Sequence, residues 1–309
     1  MRVATMIFLC LAILVSLLGV GLAKVLQNQR FTNNNCGRFL YKGFEPNGLH
    51  RFETNIARIC QCYQGADYFA TMYDRNKRIA IYSAYVYGTQ PAGGHGQNLC
   101  GAGIVNDTYT CGRERWCIEP ELIAENYAKR NMEECPGNRP EQKPWLDQVM
   151  GSQAVDQDYS GTRYTKAHLN TNGHHNGSAQ SATFTLTNAV PQIQALNTLW
   201  AKQYEEQMQH FIDSVRSGPC PSAYVLTGAI PSNNQMNKRV TIPSSIWSAF
   251  CCVNNNNNQV PTGSMAFWLE NNPNVTNIEI MTLQDLQDKL GKKLNSQVTL
   301  FQNSCKMLA

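Results

Sequence analysis

The sequence predicts an α+β domain, and three observations carry that prediction. Residues 68–73 and 78–85 are aromatic and apolar runs separated by the polar stretch Asp74, Arg75, Asn76, Lys77, the pattern of a β-hairpin. Residues 182–188 alternate, with Thr183, Thr185 and Thr187 on one face and Phe184 and Leu186 on the other, which predicts a strand ended by Pro191. Leu196, Leu199, Trp200, Tyr204, Met208, Phe211, Ile212 and Val215 recur at helical spacing, predicting one amphipathic helix over 195–216.

The remaining elements follow in chain order. Met1-Arg2, the apolar run 6–22 and the small residues Gly21 and Ala23 form a secretory signal peptide over 1–23, a retained signal anchor being the alternative. Residues 24–309 then form one disulfide-bonded domain with a central antiparallel sheet and flanking helices. A two-domain alternative splits near 140. Residues 53–63 carry an early core signal, and 87–115, rich in Gly and Cys, form a stapled loop. Pro136, Pro140 and Pro144 make 136–161 a long surface connection with a short helix near 145–150. Residues 163–169 are extended and 171–181 form a polar loop. Strands are expected near 223–227 and 266–269. A helix over 283–290 is capped by Thr282, and the Asn run 254–258 is a loop.

Composition bounds the function. The chain of 309 residues has a net charge of +4, and removing 1–23 deletes one Arg and no acid, leaving +3. That permits a polyanionic partner without demanding one. Of 12 cysteines, Cys10 lies in the leader, and the other eleven point to disulfides in an oxidising compartment, with one thiol free or bonded to a second chain in a disulfide-linked dimer. Sequons at Asn106, Asn176 and Asn274 agree with a secreted, extracellular glycoprotein. Glycine-rich phosphate loops, G-x-S-x-G and H-E-x-x-H are all absent.

Candidate chemistry gathers on histidine. His168, His174 and His175 crowd into the strand-loop-strand stretch, where a zinc cluster is one reading and a structural role another. The residues around them are more specific. Tyr164-Thr165-Lys166-Ala167-His168-Leu169-Asn170 is followed by Thr187-Asn188, Pro191-Gln192, Asn197, Trp200 and Glu205, several positions matching in order. This string resembles the DNA/RNA non-specific endonucleases, whose motif reads Asp-Arg-Gly-His where this chain has Thr165, Lys166, Ala167 and His168. Cys60-Gln61-x-Tyr63, Tyr82-Ser83-Ala84-Tyr85, Ile246-Trp247-Ser248-Ala249 and the segment 283–305 extend the likeness, to the vertebrate endonuclease domain-containing branch, over nearly the whole mature chain.

The resemblance implies a ββα-metal (His-Me finger) core over about 162–216 and hydrolysis of DNA and RNA. It makes His168 the general base, since a neutral imidazole suits proton removal from water. It makes Asn197 the direct protein ligand of a Mg2+ ion, or of another divalent cation such as Mn2+, and has Glu205 orient water around that ion. Asn188 supports the base or the scissile phosphate, and Trp200 belongs to the core. Lys166 stands where the family uses Arg against phosphate and offers a point charge in place of a planar fork. That departure leaves a second expectation, an impaired nucleic-acid-binding or structural protein on the same scaffold.

Overall fold

The computed structural model describes residues 25–26, 29–33, 35–49, 55–88, 111–123, 131–215, 220–254, 259–302 and 305. The expected leader, His50, His95, Cys100, the Asn106 sequon and most of the Cys-rich and Asn-rich loops lie outside them. In chain order the strands are β1 (Val25–Leu26), β2 (Ile56–Tyr63), β3 (Ala66–Asp74), β4 (Ile79–Val86), β5 (Cys117–Ile118), β6 (Glu133–Glu134), β7 (Tyr164–His168), β8 (Ala189–Ile193), β9 (Ser222–Met236), β10 (Val240–Val253), β11 (Pro261–Glu270) and β12 (Glu279–Met281). The helices are α1 (Lys143–Ser152), α2 (Asp156–Tyr159), α3 (Gly177–Ala182), α4 (Gln194–Trp200), α5 (Glu206–Val215) and α6 (Leu283–Leu294).

An eight-stranded antiparallel sheet in the order β1-β2-β3-β4-β9-β10-β11-β12 organises everything else. Because β4 pairs with β9, strands from both ends of the chain share one sheet, and no boundary near 140 divides it. Both faces are covered. Side chains alternate along a strand, so in β10 Ile246, Phe250 and Cys252 join one core, and Trp247, Ala249, Cys251 and Val253 join the other. The first core lies under the antiparallel ribbon β7–β8 and helices α4 and α5. The second lies under the 31–49 segment and α6. Thr282 Oγ1 accepts the Asp285 N–H at 3.1 Å and caps α6 as expected.

Disulfides staple these layers. Adjacent Cys251 and Cys252 face opposite cores, and each reaches a different partner, Cys305 and Cys220. Cys36–Cys60 ties the N-terminal segment to β2, and Cys111–Cys117 closes a short loop. Cys135 is the free cysteine among the described residues. It is buried, so it presents no surface thiol to a second chain. No helix among the described residues is long and apolar enough to cross a membrane. Asn176 and Asn274, the two described sequon positions, are exposed.

Three local expectations are corrected. Residues 182–188 do not form a strand: α3 occupies Gly177–Ala182 within the expected polar loop, and Leu186–Asn188 is a 3-10 turn. The Thr alternation misleads because both sets of residues are buried, the hydroxyls satisfied inside: Thr183 bonds Gln180 O at 2.7 Å, and Thr187 accepts from Gln61 Nε2 at 2.9 Å. Pro191 does not end the strand but sits in the middle of β8, opposite Lys166. A two-stranded ribbon has only edge strands, where a residue without an N–H is tolerated. The expected single helix is α4, one π turn over Ala201–Glu205, and α5.

Gly228 pairs with both Tyr82 and Trp247 at the centre of the sheet. A Cβ there would lie 2.4 Å from Trp247 Cζ2 and 2.5 Å from Ile81 O, one a fully buried ring and the other backbone. Gly228→Ala is therefore expected to destabilise by about 2 kcal/mol, lowering the thermal midpoint by several degrees. Gly151→Ala in α1, where an added Cβ meets nothing within 4 Å, is the matched control and should leave the midpoint unchanged or raise it.

Candidate active site

The site is built around the end of β7. Strand alternation puts Lys166 and His168 on one face and sends Ala167, 1% exposed, into the core. Trp116 covers both: its ring centroid lies 4.7 Å from the His168 imidazole and 5.2 Å from Lys166 Nζ. Phe184 meets His168 edge-on at 4.7 Å. Trp116 is itself fixed, its carbonyl accepting from Cys135 N at 3.1 Å while the next residue, Cys117, donates to Phe184 O at 2.8 Å and is bonded to Cys111.

Enclosure sets the charge of the imidazole. His168 Nε2 is buried with no hydrogen-bond partner among the described residues, and desolvation pushes the imidazole pKa down to about 3. The ring is neutral across the ordinary pH range. As a residue His168 is only partly buried.

Behind His168 stands Asn188, which is 0% exposed. Its Oδ1 accepts from Ser83 Oγ and from Asn170 N–H, each at 2.8 Å, and its Nδ2 donates to Asn170 O and Thr183 O, each at 3.0 Å. An amide side chain has two donors and two acceptor lone pairs, so this one is saturated and has nothing left for a phosphate. What it contacts is the chain immediately after His168.

Lys166 does not stand free. Its Nζ forms an ion pair with Asp156, at the start of α2, while lying 5.9 Å from the Tyr159 ring centroid. The Asp156 helix is held in turn by Arg239, which forks onto Asp158 at 2.7 and 3.2 Å and bonds Met150 O at 2.7 Å. The carboxylate that Thr165 lacks is thus supplied to Lys166 from ten residues upstream.

The helix side of the site depends on the π turn. A regular α-helix returns almost to the same face after seven residues and rises about 12 Å over eight. A π turn accommodates one extra residue, which brings Glu205, eight positions on, back toward the face of Asn197. Asn197 is partly exposed and its side chain has no partner among the described residues, while α4 packs on β7. Glu205 Oε1 accepts from Thr171 Oγ1 at 3.1 Å, and burial pushes its carboxyl pKa up to about 7. Both side chains offer hard oxygen donors, and an enclosed carboxylate with one hydroxyl partner is relieved by a cation. A hydrated divalent ion needs few protein ligands, and the donor chemistry of these two side chains suits one.

The three clustered histidines do not converge on zinc. His174 Nε2 donates to the Glu205 carbonyl at 3.1 Å and its Nδ1 accepts from Tyr85 OH at 2.9 Å, while His175 Nε2 donates to Asn170 Oδ1 at 2.7 Å. Both are structural, and no group of three metal-binding His, Cys, Asp or Glu exists among the described residues. Trp200 is buried, as expected. Sequence reasoning missed Trp116, Phe184, Asp156 and Thr171, since nothing in their spacing connects them to His168.

Comparison with known proteins places the chain in a family. Residues 50–303 match the DNA/RNA non-specific endonuclease family, a span holding all five candidate residues. Two curated relatives carry the name endonuclease domain-containing 1 protein: one from Homo sapiens, 29% identical over 299 residues, and one from Mus musculus, 30% identical over 300. Each alignment covers 96% of this chain and 53% of the relative, so the chain spans about half the length of the curated relatives it matches. A solved structure described as the EndoG/EndoGI complex superimposes with a TM-score of 0.43 at 14% identity, covering 79% of this chain and 91% of that one. The family match, covering most of the sequence, assigns the chain: it belongs to the DNA/RNA non-specific endonuclease family.

Proposed function

We propose that the chain is a secreted, divalent-cation-dependent endonuclease that hydrolyses phosphodiester bonds of DNA and RNA, its nuclease-like domain spanning 24–309 after a cleaved leader over 1–23. The observation that carries the reading is the placement of His168: it ends the strand bearing the family motif, beside a lysine, with its inner nitrogen shut in under Trp116 and Phe184. Four disulfides among the described residues support an oxidising compartment.

In this reading His168 keeps its own hydrogen on the enclosed Nε2 and accepts the proton of the attacking water at the outward Nδ1. Asn188 positions His168 by holding the backbone that follows it. Asn197 and Glu205 would hold Mg2+ or a similar divalent ion, Asn197 as direct ligand and Glu205 through water. The bound cation supplies electrostatic stabilisation to the phosphate and the leaving oxygen. Lys166, held by Asp156 over Trp116, stands beside the phosphate as a hydrogen-bond donor whose charge is balanced by that carboxylate. A second reading, a protein that binds nucleic acid without turning it over, is favoured by one observation: the Lys166 charge is already engaged by Asp156.

The test is nicking of supercoiled plasmid in Mg2+. His168→Ala should lower the rate by about 10²- to 10⁴-fold with an unchanged melting curve. Wild-type protein that binds plasmid without nicking it would support the second reading. A second expectation concerns pH. A carboxyl whose pKa is raised to about 7 holds its proton below that value, and a proton competes with a cation. The Mg2+ concentration giving half-maximal rate should therefore fall as pH rises through 7. Glu205→Gln should remove that dependence and weaken cation use by about 10- to 100-fold. An identical Mg2+ requirement at pH 6 and pH 8 in the wild type would contradict the role of Glu205.

A further inference from the structure

The tip of the segment between Cys111 and Cys117 has no part in the chemistry above, yet it adjoins the site through Trp116. Its disulfide closes a seven-residue loop. Inside it, Gly112 and Arg115 exchange two backbone hydrogen bonds of 2.9 and 3.0 Å, making a tight turn with Arg113 and Glu114 at the tip. Arg113, Glu114 and Arg115 are all exposed. Neither arginine has an ion-pair or hydrogen-bond partner for its side chain among the described residues, which contrasts with Lys166 and Arg239, each bound to an acid. The next residue is Trp116, buried against His168 and Lys166.

We propose that this disulfide-closed hairpin is a phosphate-gripping arm, with Arg113 and Arg115 binding the backbone of the nucleic acid beside the phosphate attacked by the water that His168 deprotonates. The proposal rests on the nuclease reading for the identity of the ligand. Three physical points support it. Consecutive Cα atoms are about 3.8 Å apart and each DNA strand carries a phosphate per about 3.4 Å of axis. Arg115 and Arg113, one and three residues from a ring packed on the base, therefore reach phosphates within a few nucleotides of the cut. The guanidinium fork matches phosphate oxygens in pairs, the recognition that Lys166 cannot supply at the motif itself. The covalent closure, together with the hydrogen bonds from Cys117 to Phe184 and from Cys135 to Trp116, holds the arm in place before substrate arrives, which lowers the ordering cost of binding. Glu114 between the arginines leaves the tip with a net positive charge.

Binding is measured by fluorescence anisotropy with a labelled DNA duplex and with a labelled RNA strand. The full protein carries His168→Ala so that the probe survives, and the salt concentration is varied. Each lost phosphate contact should lower the slope of log affinity against log salt by about 0.9 on duplex DNA and about 0.7 on a single strand. Arg113→Ala with Arg115→Ala should therefore reduce the slope by between one and two such steps, while the paired substitution to Lys keeps it. Loss on DNA alone or RNA alone supports the arm and identifies its substrate. An unchanged slope in the alanine pair, or no binding of either probe by the parent, overturns the proposal. Plasmid nicking by protein with His168 intact separates the two ideas: slope loss without any nicking leaves the arm standing and the nuclease reading fallen, and nicking with an unchanged slope does the reverse.

Discussion

Four hydrogen bonds to one buried amide, Asn188, hold together three pieces of chain that would otherwise be independent: the centre of the sheet at Ser83, the residue pair after His168 at Asn170, and the turn entering β8 at Thr183. Its backbone joins the same junction, accepting from Leu169 N at 3.0 Å and donating to Thr185 O at 2.9 Å. A buried polar group left unpaired costs about 1–3 kcal/mol, so loss of this side chain would strand several groups at once. The arrangement is cooperative, since Thr71 Oγ1 and Ser83 Oγ, 3.1 Å apart, extend the network into β3. The position of His168 follows from this junction, and its enclosure beside Trp116 and Phe184 keeps the imidazole neutral.

Lys166 gives the site its particular character. A lysine on the same face of β7 as His168 would raise the local positive charge if left free. Here Asp156 neutralises it, and two aromatic faces accept its remaining field. The exposed arginines of the 111–117 hairpin, next to Trp116, have no acidic partner among the described residues. One residue, Trp116, links base, lysine and hairpin.

What could be read from sequence follows burial. The 66–86 hairpin was legible because a polar turn interrupts two apolar runs, and Asp74 Oδ1 caps that turn by accepting from Asn76 N and Lys77 N at 2.9 Å. β10 was not, because Ile246 through Val253 are buried on both faces of a covered sheet and show no polar alternation. Residues 182–188 were misread for the converse reason: threonines that mimic a wet face are satisfied by internal hydrogen bonds. Helical periodicity located the helical stretch, but a π turn changes the phase by one residue without changing the composition, so the face on which Glu205 lies was invisible. His168, Asn197 and Glu205 came from motif resemblance. Trp116 and Asp156 reach the site through tertiary packing alone, and no local pattern encodes that.

The central claim is that Asn188 and the aromatic enclosure keep His168 neutral and in place. Its direct measurement is the pH titration of the His168 ring resonances by NMR. The structure predicts no protonation shift of His168 from about pH 8 down to about pH 5, with a pKa far below the ordinary 6.5, and a return toward that value in Asn188→Ala. A wild-type His168 that titrates near 6.5 would contradict the account.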